Sequence, residues 1–131
     1  MIENIIKKYS MRKVTDSDIF KILKWRNHPN VRSFMINNSI IKKTEHLHWY
    51  KNAISTNTNE LIIFSFNNID IGFGSISKID KINKNCTWGM YLKPDQLFLS
   101  HGVFLEIILI NRMFYFHKIS KIYGQTLSNN K

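Results

Sequence analysis

Cysteine occurs once in this chain, at Cys86, so no internal disulfide can form and no metal site built on paired cysteines is available. A reducing cytoplasm is the expected setting, with Cys86 a small buried hydrophobe. Proline occurs only at Pro29 and Pro94, and alanine only at Ala53. No repeat, linker or low-complexity tract interrupts the chain, which predicts a single domain over residues 1–131. Long apolar runs are missing too. Met1 to Met11 mixes Ile2, Ile5 and Ile6 with Lys7 and Lys8 and has no small-residue cleavage site, so it is not read as a signal peptide. The greasiest stretch, Val103 to Phe116, is broken by Glu106, Asn111 and Arg112 and is too short to cross a bilayer. It predicts a buried helix and no membrane partner.

Acidic residues are scarce: 9 Asp and Glu stand against 19 Lys and Arg, a formal charge of +10. That balance suggests a polyanionic partner, whether nucleic acid, an anionic membrane or a phosphorylated small molecule. The excess of lysine, asparagine and isoleucine is also what an AT-rich coding bias produces. The lysines are scattered, without the interleaved aromatic and basic runs of a nucleic-acid groove. Nucleic acid is therefore not expected as a partner.

What is present orders itself into alternating elements. Met11 to Val14 reads as a strand, and Thr15 and Asp16 supply capping oxygens for a helix carrying Ile19, Ile22, Leu23 and Arg26. Pro29 disfavours helical geometry at His28 and stops it. Val31 to Met35 predicts a further turn, and Thr44 caps a second helix with Leu47, Tyr50 and Ile54 on one face. Leu61 to Phe66 and Ile69 to Ile79 read as strands joined by a two-residue Asn67-Asn68 hairpin, and a turn at Lys81 to Asn85 leads to Cys86 to Leu92. A loop opened by Pro94 ends at Gly102, where a helix of about four turns begins. Ser120 to Leu127 reads as a last strand, parallel to Cys86–Leu92 because a helical crossover joins them.

The junction of Cys86–Leu92, the loop Lys93–His101 and the following helix gathers backbone NH groups and a positive helix end, which attract phosphate. Ser100, His101 and Gly102 can present NH groups and a hydroxyl to a pyrophosphate, and Gly102 permits close backbone approach. A plain strand-to-helix connection with one glycine gives the same pattern, so this segment does not decide the matter by itself. His46 and His48 diverge on their predicted helix, which argues against a shared metal, and no metal is expected. Gly89 inside a strand suggests a bulge or a close backbone contact with a ligand.

From Arg12 to its end the chain resembles the GNAT acetyltransferase superfamily. Four ordered blocks carry a more specific likeness: Trp25-Arg26-Asn27-His28-Pro29-Asn30-Val31-Arg32, Glu45-His46-Leu47, Gly72-Phe73-Gly74-Ser75-Ile76-Ser77-Lys78-Ile79 and Trp88-Gly89-Met90-Tyr91-Leu92-Lys93-Pro94. They look like the aminosugar acetyltransferases of the pseudaminic acid pathway. The resemblance implies an α/β (α+β) fold with a mixed, mostly antiparallel central sheet, one parallel strand pair and helices on both faces. It implies a soluble enzyme that transfers acetyl from acetyl-coenzyme A to the 4-amino group of a UDP-linked 4-amino-4,6-dideoxy-N-acetyl-altrosamine, feeding flagellin glycosylation.

By the same resemblance Arg26, His46, Ser77, Lys78 and Tyr91 hold the UDP-aminosugar. The backbone of Met90 and Leu92, the loop residues Ser100, His101, Gly102 and Val103, and Asn129 touch coenzyme A. Each has a plainer alternative. Arg26 neutralises a helix C-terminus or grips a diphosphate with its fork. His46 meets a uracil or phosphate oxygen or lies exposed. Lys78 pairs with phosphate or points to solvent, Tyr91 stacks on a base or fills the core, and Asn129 touches the cofactor or only solvent.

The chain departs from the superfamily pattern in two places. Gln96 is displaced by about one position in the cofactor loop, with Ser100 where the first of two glycines is usual. The sequence also stops at Ser128-Asn129-Asn130-Lys131, where the family continues into another helix and two strands. The tyrosine that usually protonates coenzyme A lies on that helix, so no catalytic residue is assigned. The expectation is a domain incomplete at its C-terminus, with Ser120–Leu127 an open edge that favours self-association. Three readings compete with the aminosugar enzyme: an inactive truncated remnant, a GNAT acetylating a protein N-terminus or another small amine, and a nucleic-acid binding module.

Overall fold

Asn67 and Asn68 both take positive φ, 49° and 68°, the left-handed pair that a two-residue hairpin requires and that asparagine tolerates. They join β2 (Glu60–Phe66) to β3 (Ile69–Asp80), and residues 81–84 turn the chain into β4 (Asn85–Leu92). The computed structural model describes residues 2–97 and 100–124. The remaining elements are α1 (Ile2–Ile6), β1 (Tyr9–Lys13), α2 (Ile19–Asn27), α3 (Pro29–Arg32), α4 (Lys43–Ile54), α5 (His101–Asn111) and β5 (Lys121–Tyr123). The sheet runs in the order β1-β2-β3-β4-β5. Every pair is antiparallel except β4 with β5, as the hairpins and the helical crossover predict.

Alternation along the central strands divides the core in two. Leu61, Ile63 and Phe73 face Ile19, Ile22, Trp25 and Tyr50 of α2 and α4. Ile62, Phe64 and Ile76 face Leu105, Leu109 and Met113 of the α5 segment. Helices therefore cover both faces of the mixed sheet, as expected. Gly72 and Gly74 lie under α5. A Cβ on Gly74 would stand 2.6 Å from Phe64 Cε2, a fully buried ring atom, and 3.6 Å from Leu109 Cδ1. Gly74→Ala is expected to cost about 1–3 kcal/mol through overpacking, read as a lower Tm, whereas Gly89→Ala, with 3.7 Å to Ser75 Oγ, leaves Tm nearly unchanged.

Several boundaries differ from the sequence reading. Thr15 caps a short turn, Asp16–Asp18, that leads into α2, and it does so in a capping box with Asp18, whereas Asp16 is used elsewhere. The Asp18 carboxylate reaches back to accept from the Thr15 NH (2.8 Å) and hydroxyl (3.1 Å), while Asp16 Oδ1 accepts from the Tyr50 hydroxyl (2.9 Å). Helix α4 starts at Lys43 with Lys42 as its cap, so Thr44 lies in the first turn. Its inner face holds His46, Leu47, Tyr50 and Ala53, whereas Ile54 is 50% exposed. Helix α1 had no strong periodic signal. Helix α5 is not buried all round: Leu105 and Leu109 are fully buried and Val103 is 61% exposed, because one side alone meets the sheet. It continues into a π-helical turn at Arg112–Phe116, where the His117 NH donates to the Arg112 carbonyl (3.1 Å). Arg112 and His117 converge on Glu60 (2.5 and 3.0 Å), tying that turn to the start of β2.

Asp18 also anchors α2 to β1. The Arg12 guanidinium binds it through two bonds (2.7 and 2.8 Å) and holds its carboxyl well below the ordinary carboxylate range, against the upward push of burial. A depressed folded-state value means stability that is fully present above the unfolded value of about 4 and lost as pH falls below it. Asp18→Asn is expected to lower stability at pH 7 by about 1–3 kcal/mol and to flatten the fall in Tm between about pH 4 and pH 2, measured by thermal melts across that range.

Candidate functional site

The described pairing of the two parallel strands ends at Thr87 and Tyr123. β5 pairs with β4 only at Asn85, Cys86 and Thr87 among the described residues, while Trp88 to Leu92 stay in register with β3. Gly89 sits opposite Ser75 with no bulge; the register shift lies instead between Ser77 and Asp80. The Lys93 NH donates to the Ile71 carbonyl of β3 (2.7 Å). Because NH direction alternates along a strand, Gly89 and Tyr91 also donate toward β3. The NH groups of Met90 and Leu92 consequently point the other way, into a groove of about 1030 Å³. Helix α5 starts beside the end of β4: a Cβ on Gly102 would lie 3.7 Å from Leu92 Cδ1.

The opposite wall comes from the end of α2 and the segment after α3. Arg26 lines the groove although it is only 7% exposed. Its Nη2 donates to the Asn37 carbonyl, and its Nη1 is buried without a hydrogen-bond partner. Burial pushes its pKa down, with a small opposing effect from Tyr91. A buried guanidinium nitrogen is costly to leave unpaired, so this atom marks where an acceptor belongs. Phe34, Met35, Ile36 and Asn37 complete this wall.

The sequence-selected residues distribute unevenly. Arg26, Lys78, Tyr91, Met90 and Leu92 all line the groove. Lys78 is held at φ 52°, a strained conformation for a lysine that costs about 1–3 kcal/mol and favours functional positions. Tyr91 packs inward although it borders the groove: its ring lies on Phe73 (5.1 Å between centroids) and its hydroxyl donates to the Ile22 carbonyl at 3.4 Å, while burial raises its pKa strongly. His46 is neither exposed nor in the groove. It is 4% exposed, with Nε2 2.8 Å from the Ile19 carbonyl and its ring stacked on Trp49, and burial lowers its pKa. Ser77 stands next to Lys78 but outside the groove lining; its carbonyl accepts from Thr87 Oγ1 (3.2 Å).

Ser100 precedes α5, and His101, Gly102 and Val103 form its first turn. The His101 ring turns away from the groove, with Nδ1 2.6 Å from the Tyr9 hydroxyl, so only its backbone is available beside β4. Asn129 and residues 125–127 of the expected last strand lie outside the described residues. Trp88 and the wall Phe34–Asn37 had not been singled out from sequence. Nothing local marks them, since they meet only across the fold. Among the described residues no cluster of three His, Cys, Asp or Glu side chains is placed to hold a metal, and no helix is long and apolar enough to cross a membrane.

This topology has counterparts among solved structures. The spermidine N-acetyltransferase of Vibrio cholerae in complex with CoA and spermine superposes with a TM-score of 0.84 at 17% identity, covering 95% of this chain and 74% of that one. The chain has the GNAT acetyltransferase fold. A second GNAT-fold structure, the N-acetyltransferase PseH of Campylobacter jejuni, superposes with a TM-score of 0.69 at 19% identity over 94% of this chain and 79% of that one. In sequence, the acetyltransferase PseH of C. jejuni serotype O:23/36 is 29% identical over 105 residues, covering 79% of this chain and 64% of that protein. Its counterpart from serotype O:2 is 31% identical over 91 residues, covering 70% and 56%. The chain thus spans under two thirds of the length of these curated relatives. No family model matches it.

Proposed function

We propose that this GNAT-fold chain carries the acetyl-coenzyme A site and the acceptor groove of a cytoplasmic N-acetyltransferase acting on the 4-amino group of a UDP-linked aminosugar, within flagellin glycosylation. The observation that carries the reading is the unpartnered Arg26 Nη1, buried in the wall of a groove that also holds Lys78. A diphosphate supplies the missing acceptor oxygens. Among the described residues no aspartate or glutamate lines this groove, so a polyamine such as spermidine would meet two cations and no anionic partner there. Trp88, Tyr91 and Phe34 offer aromatic surface for a base or a sugar face.

The residues present suit a coenzyme A thioester, which supplies an activated acetyl group. Met90 and Leu92 offer NH groups to the pantetheine arm and to the thioester oxygen, and the first turn of α5 offers NH groups and a positive end to the pyrophosphate. Between them the geometry supports direct transfer. The neutral amine attacks the carbonyl carbon, a C–N bond forms as the C–S bond breaks, the thiolate takes up a proton, and the new amide nitrogen gives one to solvent. The oxyanion is stabilised by main-chain NH.

A thiol-release assay with acetyl-coenzyme A and three acceptors, a UDP-linked 4-amino sugar, spermidine and a peptide N-terminus, tests the proposal. Release is expected with the nucleotide sugar. Release with spermidine or the peptide in its place, or with none of the three, overturns it.

A further inference from the structure

Asn27 lies in the first matched block, yet no role falls to it from the resemblance or from the groove lining. Its side chain makes a two-way clasp on the segment between α3 and α4: Nδ2 donates to the Ile41 carbonyl and Oδ1 accepts from the Ile41 NH, both at 2.8 Å. This is the pattern that a paired strand would offer, supplied by one amide. Its own carbonyl accepts from Arg32 Nε (3.3 Å), and Arg32 Nη1 donates to the Asn38 carbonyl (3.2 Å). Beyond a local bond from the Ser39 NH to Asn37 Oδ1, the described hydrogen bonds to residues 36–41 come only from Arg26, Asn27 and Arg32. The segment has exposed apolar side chains, Phe34, Ile36 and Ile40, so packing contributes little to its placement.

The same segment sets the geometry of Arg26. Asn37 accepts from Nη2, and that bond fixes the plane of the guanidinium and hence where Nη1 points. Ordering such a segment costs backbone conformational entropy, and two well-made bonds at one amide offset part of it. We infer that Asn27 is a positioning residue: by clasping Ile41 it holds residues 34–37 as the acceptor wall and, through Asn37, aims Arg26 Nη1 into the groove. The inference rests on the acceptor groove proposed above.

Three proteins, unchanged, Asn27→Ala and Asn27→Asp, titrated with UDP and with acetyl-coenzyme A and assayed for tryptic cleavage after Lys42 and Lys43, test it. Asn27→Ala is expected to weaken UDP by about 10- to 30-fold, to leave acetyl-coenzyme A affinity within about twofold, and to speed cleavage at Lys42 and Lys43. Asn27→Asp keeps the bond from the Ile41 NH and loses the donor to the Ile41 carbonyl, so it falls between the two. It is read alone if the alanine variant loses its fold by circular dichroism. UDP affinity and cleavage unchanged in the variants overturn the inference and spare the proposed function. Equal weakening of both ligands overturns it as well, since that marks a general loss of structure. An unchanged protein that binds no UDP overturns the proposed function and this inference together.

Discussion

Arg26→Met is expected to reduce UDP affinity by at least about 30-fold while leaving Tm equal to or above that of the unchanged chain. Two opposing terms produce this pairing. In the free protein Nη1 is a buried donor without a partner, a position that costs about 1–3 kcal/mol, and methionine fills comparable length without that cost. The lost Nη2 bond to Asn37 offsets part of the gain. In the proposed complex the same nitrogen meets phosphate, and removing one partner of a buried charged pair costs about 2–5 kcal/mol, which is roughly 30-fold or more. Arg26→Lys, a point charge without the fork, should recover only part of the affinity. Calorimetry with UDP beside thermal melts separates the two terms. Retained UDP affinity in Arg26→Met, or a large fall in Tm, would make Arg26 a structural residue and remove the main support for a nucleotide acceptor.

Gly102→Asp should show the same opposition at the start of α5, beside Leu92. The added Cβ meets Leu92 at an ordinary 3.7 Å among the described residues, and the first turn of α5 holds no acidic side chain. An aspartate there complements the helix end and is expected to add about 0.3–1 kcal/mol of stability. The same carboxylate would occupy the place of a pyrophosphate and repel it, so coenzyme A affinity is expected to fall by about 100-fold or more, beyond 2.7 kcal/mol by the usual conversion of about 1.4 kcal/mol per tenfold. The UDP affinity of this variant should stay within about threefold, because Arg26 is untouched. Binding of coenzyme A at unchanged affinity would place the cofactor elsewhere and would separate this fold from its usual chemistry.

These two variants probe residues that were visible in the sequence for different reasons. Gly102 was visible because a glycine at a strand-to-helix junction has a local meaning. Arg26 was visible through the block that contains it, but its alternatives could be resolved only in three dimensions. Whether a guanidinium at a helix end faces water or a groove depends on what packs over it, and here that is Asn37, eleven residues further on. His46 shows the converse. Its place in a matched block suggested ligand contact, and the fold turns it inward onto the Ile19 carbonyl.

The sequence by itself determined the order of the elements, the Asn67-Asn68 hairpin, the arrest of α2 before Pro29 and the parallel return to the sheet. These follow from local rules: positive φ at asparagine, the restricted residue before proline, and the geometry of a helical crossover. Tertiary structure alone decided that Arg12 of β1 binds the Asp18 carboxylate at the start of α2, that Arg26 is buried against the Asn37 carbonyl, and that Asn27 clasps Ile41. Each of these joins groups distant in sequence or chooses among near-equal local options, and the choice is made by which buried polar atoms can be satisfied once the core has closed. Among the described residues one buried side-chain nitrogen, Arg26 Nη1, was left unsatisfied by that closure, and the proposed nucleotide acceptor rests on it.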